Sequence, residues 1–366
     1  VIENGPISRA ELSKELGLTK ATISSIVKDL LKQELIIEVG SGPSDVGRKP
    51  ILLEFNEKAG YSICIDLGVE IITTMLTDLK GKKLATSKVN VSKINKDNVL
   101  HILIPLIDEM IGYTKPSKYG VIGITIAIHG VVYDNHIIFT PYYDLKESNL
   151  AFLLEKHYGV PIYLFNEANL SVLGEMTFAI NVENIANINI HWGIGLGLVI
   201  NNKLYEGYNG FSGEFGHTIV EIDGKPCPCG NKGCIEQYAS EKALLKKLST
   251  MKNKEEVSFD EFVELYNQKD KCAVSIMNDF IKYLSTGINN IMTTFNPEII
   301  IINSKFTSQF PHLLNEIKSS LNSNASQCRD ILISTLEDSS ILYGAAYVNI
   351  INFLGVKYYN PVKQSV

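Results

Sequence analysis

Apolar residues keep a helical spacing through the first sixty positions, then fall into alternating strand-like and helix-like runs. Ile7–Leu16 reads as a short amphipathic helix, with a serine cap at Ser8 and Glu11 three residues later, the pair that closes a capping box. Gly17 stops it, since glycine takes the left-handed cap conformation at no steric cost. Thr19 caps a second helix that runs to Lys32. Ile23, Ile26, Val27, Leu30 and Leu31 recur on one face of it, which leaves Lys20, Thr22, Ser24, Ser25 and Lys28 on the other. Two short strand patterns, Leu35–Val39 and Pro50–Phe55, flank a Gly- and Ser-containing stretch at 40–49.

A helix, a tight glycine turn and a second helix with a small polar face describe a helix-turn-helix, and the strand pair adds a wing at Gly47-Arg48-Lys49-Pro50. Small polar side chains near the start of the second helix can approach base edges, lysines can meet phosphates, and an Arg-Lys tip suits a narrow minor groove. Lys20, Thr22, Ser24, Ser25, Lys28, Arg48 and Lys49 are thus the candidate contacts to a double-stranded DNA operator. The plainer alternative is a small helical protein–protein module. Residues 1–60 hold eight Lys/Arg against nine Asp/Glu, so the segment has no net basic footprint.

From Gly60 onward the runs Tyr61–Asp66, Ile71–Asp78, Gly120–Ile128, Ile137–Thr140, Ile162–Phe165, Ile188–Gly193, Leu198–Ile200 and Ile299–Ile302 read as strands. Asn98–Tyr113 and Asn149–His157 read as helices, and residues 241–290 and 303–340 carry helical patterns. Such alternation predicts an α/β architecture. At 366 residues the chain exceeds one ordinary domain. With 45% hydrophobic and 20% charged residues it can bury a sizeable core, and a net charge of -6 excludes a generally basic nucleic-acid coat. Neither a run of eighteen apolar residues nor a signal-peptide pattern occurs, so no membrane association is expected. The chain opens at Val1 inside a recognisable pattern, which reads as residues missing ahead of it.

The densest chemistry lies in Gly213–Glu236, G-E-F-G-H-T-I-V-E-I-D-G-K-P-C-P-C-G-N-K-G-C-I-E. His217, Cys227, Cys229 and Cys234 form a closed tetrahedral ligand set for structural zinc, with no position left open for catalysis. Core thiols are the ordinary alternative. However, the segment is rich in Gly and Pro, poor in large apolar residues, and reads as a loop. Cysteines that hold metal rather than one another point to a reducing, cytoplasmic setting. Cys64, Cys272 and Cys328 are isolated.

The run G-E-F-G-H followed by C-P-C-G-N-K-G-C-I-E resembles the signature of the ROK family (repressors, open reading frames, kinases), and the N-terminal N-G-P-I-S-R-A-E-L resembles the DNA-binding head of its repressors. The resemblance implies a winged helix-turn-helix at 1–58, followed by the two-lobed actin/hexokinase-like (ribonuclease H-like) α/β fold. The small lobe would comprise 59–165 plus 341–366, including a last helix near Ile341–Leu354. The large lobe would comprise 166–340 with the zinc loop. Phe165–Glu175 resembles the family's N-D-A-N-x-x-x-x-G-E segment, with Glu167 where the kinases carry their general base. By that likeness Asn166, Glu167, Glu214, His217 and Glu236 are the sugar contacts, and fixed carboxylate acceptors suit sugar hydroxyls. Glu167 alone would read as a carboxylate stabilising a helix N-terminus.

Four places depart from the kinase pattern. Asp66-Leu67-Gly68-Val69-Glu70 stands for D-x-G-G-T, Gly193–Gly197 for G-T-G-x-G, Glu167 for Asp, and Asn303-Ser304-Lys305 for a Gly-Gly nucleotide turn. His129-Gly130 replaces a Pro-Gly in a sugar-proximal loop. A phosphoryl transferase needs its cradle and its base in register, so no catalytic residue is assigned. The N-E-A-N variant and the F-S-G-E-x-G-H stretch resemble the xylose-repressor branch. The expectation is a dimeric or tetrameric transcriptional regulator, a repressor released from its operator by a monosaccharide, with xylose or a related aldose favoured, as the sugar closes the two lobes. An ATP-dependent sugar kinase and a repressor controlled by a protein partner are the alternatives.

Overall fold

A computed structural model describes residues 1–2, 4–41, 49–321, 327–359 and 361. The chain divides into two compact units, Val1–Phe165 with Ala345–Val366, and Asn166–Gly344.

The first unit opens with β1 (Ile7–Ser8), α1 (Arg9–Leu16), α2 (Lys20–Lys32), β2 (Ile36–Ser41) and β3 (Ile51–Phe55). The three strands form a sheet in the order β1-β3-β2, so Ile7 pairs with Leu53 instead of opening the helix as its pattern predicts. Ser8 and Glu11 close the capping box, Gly17 takes φ 63° as the C-cap, and the Thr19 side chain accepts the Thr22 amide. Ile7, Leu12, Ile23, Val27, Ile36 and Leu53 make a small core. Ile26 departs from the expected apolar face and is 43% exposed, because Ile23 and Val27, one turn apart, fill the space beneath the helix.

The same unit continues with β4 (Tyr61–Leu67), β5 (Ile71–Asp78), β6 (Lys83–Asn90), α3 (Val99–Gly112), β7 (Val121–Ile128), β8 (Val131–Tyr133), β9 (His136–Phe139), α4 (Leu150–Tyr158) and β10 (Ile162–Asn166). Its sheet runs β10-β7-β4-β5-β6, with β4–β5 and β5–β6 antiparallel and β4–β7 parallel. The sequence pattern missed β6 because it is a mostly exposed edge strand, with no buried face to impose alternation.

The second unit contains α5 (Glu167–Phe178), β11 (Ile185–Ile190), β12 (Ile194–Ile200), β13 (Lys203–Leu204), α6 (Glu236–Ala239), α7 (Glu241–Lys252), α8 (Phe259–Asn267), α9 (Lys271–Phe295), β14 (Ile299–Ser304), α10 (Lys305–Gln309), α11 (Leu313–Ser319), β15 (Asp330–Ile333) and the start of α12 (Ser339–Leu354). Its sheet runs β13-β12-β11-β14-β15, with β11–β12 and β12–β13 antiparallel and β11–β14 and β14–β15 parallel. Both five-stranded sheets therefore place their first three strands as a meander and add the fourth strand beside the first. The helical reading of 303–340 is corrected at β15, a four-residue strand too short to show a period.

The 25-residue α9 buries eleven residues, among them Ile276, Phe280, Leu284 and Ile288, and anchors the core of this unit. In the first unit α12 buries Asn349. Its side chain accepts from Thr125 Oγ1 at 2.8 Å and donates to Ser62 Oγ at 2.8 Å and the Ile63 carbonyl at 3.1 Å. Full pairing of this kind is what makes a buried amide tolerable.

Candidate functional site

Three consecutive residues of β12, Ile194, Gly195 and Leu196, lie against the segments that carry Glu167 and Glu214. A Cβ added to Gly195 would stand 2.9 Å from the Ala168 Cβ and 3.3 Å from Oε1 of Glu167. One added to Gly197 would meet the Ala168 carbonyl at 2.3 Å. These glycines let α5 lie on the strand. They belong to β12, so of the expected phosphate loop only the turn before Ile194 remains a loop. Asn166 caps α5 by accepting the Asn169 amide at 3.0 Å, and its Nδ2 donates to Oε2 of Glu167 at 2.8 Å.

On the same strand, the Leu196 amide donates to the Gly213 carbonyl at 3.0 Å. Gly213 sits at φ 88°, where any Cβ would come within 2.1 Å of the Leu196 carbonyl. A Cβ on Gly216 would meet the Ile194 carbonyl at 2.4 Å. The loop is pressed so closely to β12 that it fixes Glu214 at the start of the turn Phe215–His217. Phe215 is buried beneath it.

His217 lies between two carboxylates. Its Nε2 stands 3.7 Å from Oε2 of Glu214, and its Nδ1 stands 3.6 Å from Oε1 of Glu236. Burial raises the Glu214 carboxyl above its ordinary range, opposed by the charge of His217 and assisted by that of Glu236. Glu236 opens α6, and its Oε1 accepts from the Cys227 thiol at 3.1 Å and from Nε2 of Gln237 at 3.2 Å. Gln237 also reaches Cys227 Sγ at 3.7 Å, a contact no motif announced.

The zinc-type donors come together as the spacing predicts. One ligand atom from each of His217, Cys227, Cys229 and Cys234 lies within 4.8 Å of the others. Cys227 Sγ is 3.6 Å from His217 Nδ1, and Cys229 Sγ is 3.6 Å from Cys234 Sγ. A tetrahedral site with metal–ligand bonds of about 2.0–2.3 Å has edges of roughly 3.5–3.8 Å, so both separations fit zinc. The loop is preset by Gly233, at φ 80° with its Cβ position 1.7 Å from the Glu221 carbonyl, and by the Cys227 amide on the Asn231 carbonyl at 2.9 Å. Burial pushes the thiols of Cys227 and Cys234 upward, whereas the Asn231 amide lowers that of Cys229. Cys64 lies in the core of the first unit, outside this group.

Among the positions that differ from the kinase pattern, His129 has its Nε2 2.8 Å from Oδ1 of Asp66 inside the first unit. Asn303 is 2% exposed, and its Nδ2 is spent on the Glu337 carbonyl and Ser340 Oγ, each at 3.1 Å. Lys20, Thr22, Ser24, Ser25 and Lys28 are all exposed along α2, although the Thr22 hydroxyl is shared with Thr19 at 2.9 Å. Lys49 is exposed next to β3, and Arg48 lies outside the described residues. Among those residues no helix is long and apolar enough to cross a membrane.

Comparison with known proteins agrees with this arrangement. The ROK family pattern matches residues 62–350, and a MarR family pattern matches residues 1–45. A protein named xylose repressor in Bacillus spizizenii is 39% identical over 363 residues, covering 97% of this chain and 94% of its own length. The Escherichia coli regulator NagC is 26% identical, covering 88% and 82%. A solved ROK transcriptional regulator, described as a homologue of the E. coli MLC protein, superimposes with a TM-score of 0.81 at 26% identity, covering 96% and 94%. A ROK glucokinase from Streptomyces griseus, solved with glucose and AMPPNP, matches with a TM-score of 0.70 at 25% identity, covering 79% of this chain and 99% of its own. With a winged head ahead of two sheets of repeated strand order and the Cys-His loop seated on β12, the chain belongs to the ROK family.

Proposed function

We propose that this protein is a sugar-responsive transcriptional repressor that leaves its operator when a monosaccharide, xylose or a related aldose, occupies the second unit. The observation that carries the reading is the joint presence of an exposed polar face on α2 and the His217-centred carboxylate cluster. A sugar offers several hydroxyls, and Glu167, Glu214 and Glu236 with Asn166 and Nε2 of His217 present the fixed acceptors and donors such a ligand needs. The names carried by the relatives support a pentose. The ligand must favour the DNA-free conformation by a few kcal/mol to act as a switch. A single winged helix reads few base pairs, so a homodimer or homotetramer on a two-fold operator is expected.

His217, Cys227, Cys229 and Cys234 would hold structural zinc. Bound there, the metal contributes on the order of 10 kcal/mol of local order to the loop. The protein's own part is to aim Nδ1 of His217 at the metal, so that Nε2 faces Glu214 and the ligand.

We assign no phosphoryl transfer to the chain. By the resemblance Glu70 and Glu167 stand at kinase phosphate and base positions, and Asn303, where the nucleotide turn was expected, is a buried residue of β14. The resolving experiment is a gel shift of the full-length protein on DNA upstream of its own gene, titrated with monosaccharides with and without Mg-ATP. Release by one sugar without ATP supports the reading. Release that requires ATP turnover overturns it in favour of a kinase. DNA binding indifferent to every sugar favours control by a protein partner.

A further inference from the structure

The head is joined to the rest of the first unit by five residues, Asn56–Gly60, three of which form the single turn Glu57–Ala59. That short joint is reinforced from the side. Gln33, the C-cap of α2, has its carbonyl taken by the Tyr119 hydroxyl at 2.8 Å. Glu34 follows at φ 57°, an uncommon conformation for a residue with a side chain, and its carbonyl accepts from Asn56 Nδ2 at 2.8 Å. Its carboxylate meets Lys118 Nζ at 3.4 Å. Tyr119 itself is fixed at both ends of its backbone neighbourhood. Its amide donates to the Ala59 carbonyl at 2.9 Å, and the adjacent Gly120 carbonyl accepts from Tyr61 at 2.8 Å. The Tyr119 ring packs edge-on against Phe353, with centroids 4.8 Å apart. Phe353 lies on α12, the helix whose first residues, up to Gly344, belong to the unit that holds the carboxylate cluster.

The last carbonyls of a helix have no partner within it and are met by side chains, water or following amides. After α2 the amides of Glu34 and Leu35 take those of Leu31 and Leu30, and the carbonyl of Gln33 is taken by a side chain from outside the head. Because α2 is a stiff rod of about 20 Å, a small displacement of the anchored end tilts its exposed N-terminal half. We propose that Tyr119 is a positioning residue for DNA release, transmitting the setting of α12 through Phe353 to the end of α2. This rests on the regulator reading given above. Tyr119 is not one of the candidate sugar or DNA contacts given above.

The test uses the full-length chain and its Tyr119→Phe variant, which keeps the ring on Phe353 and removes only the hydroxyl. A second variant, Phe353→Leu, removes the ring that seats it. Three quantities are measured: sugar affinity by calorimetry, operator affinity with and without saturating sugar, and amide exchange across Lys32–Asn56. Sugar affinity is expected to stay at the wild-type value. The ratio of operator affinities without and with sugar is expected to fall about 3- to 10-fold, the range one hydrogen bond can carry. An unchanged ratio in both variants overturns the proposal. If the wild type itself answers to no sugar, the regulator reading fails instead. The tie is then judged by exchange alone: faster exchange at Glu34 and Leu35 in Tyr119→Phe supports it, and identical exchange refutes it.

Discussion

Gly174 and Gly344 face each other where α5 crosses α12. A Cβ on Gly174 would stand 2.9 Å from the Gly344 amide nitrogen and 2.1 Å from the Ser340 carbonyl, and a Cβ on Gly344 would stand 1.8 Å from the Leu170 carbonyl. The obstructing atoms are backbone, which cannot rotate aside. Gly174→Ala and Gly344→Ala should each cost about 3 kcal/mol, the upper end of overpacking penalties, seen as a lower denaturation midpoint. Gly112→Ala, which meets nothing within 4 Å, should leave it unchanged.

Zinc content is the direct check on the Cys-His loop. The purified protein should carry one equivalent by elemental analysis. Cys234→Ser should remove it and open 225–237 to protease, since a zinc held there would add to the order of the loop. Cys272→Ser and Cys328→Ser should retain full metal content.

Glu214→Gln should weaken sugar binding about 10- to 100-fold, the cost of replacing a charged acceptor by a neutral one. Zinc content should not change, because Glu214 faces Nε2 of His217 and the thiols lie on the Nδ1 side. Calorimetry with metal analysis on the same sample separates the two effects.

Glu175 makes stability depend on pH. It is 1% exposed. The Ser334 hydroxyl donates to its Oε1, and Oε2 has no partner among the described residues. Burial raises its carboxyl from 4.5 to about 7, with the Ser334 hydrogen bond opposing. The folded chain therefore holds a proton that the unfolded chain has already released between those two values. The stabilising contribution is complete below 4.5, declines as pH rises, and is gone above 7. Glu175→Gln should remove this slope and add about 1–3 kcal/mol at pH 8. Denaturation curves at pH 5 and pH 8 decide it.

Lys20→Ala and Lys28→Ala should each weaken operator binding to a similar degree across sequences and lower the salt slope by about 1, as phosphate contacts do. A change in sequence preference instead would place the lysine at a base edge.

Much of this was legible from residue order. The capping box, the left-handed Gly17 and the Cys-His spacing are local signals, written within a few residues of where they act. The strand β6 was not, because an exposed edge strand need not alternate. Gln237 could not be read as a partner of Glu236 and Cys227, since its role depends on where α6 begins. Ile26 fits the helical stripe by spacing, but Ile23 and Val27 are the residues of α2 buried in the small core, with Leu30 and Leu31 packed against it. The glycines 195 and 197 were read through a phosphate-binding pattern, whereas their nearest neighbours are Ala168 and Val172 on α5.

Those two glycines act as a depth gauge. With no side chain between strand and helix, α5 lies against β12 at a separation that a methyl group on either glycine would not allow, and Glu167 is the first residue of that helix. A side chain restored at 195 would meet the Ala168 Cβ at 2.9 Å and Oε1 of Glu167 at 3.3 Å while leaving every polar group chemically intact. The seat of Glu167 is therefore set by two positions that carry no functional group at all.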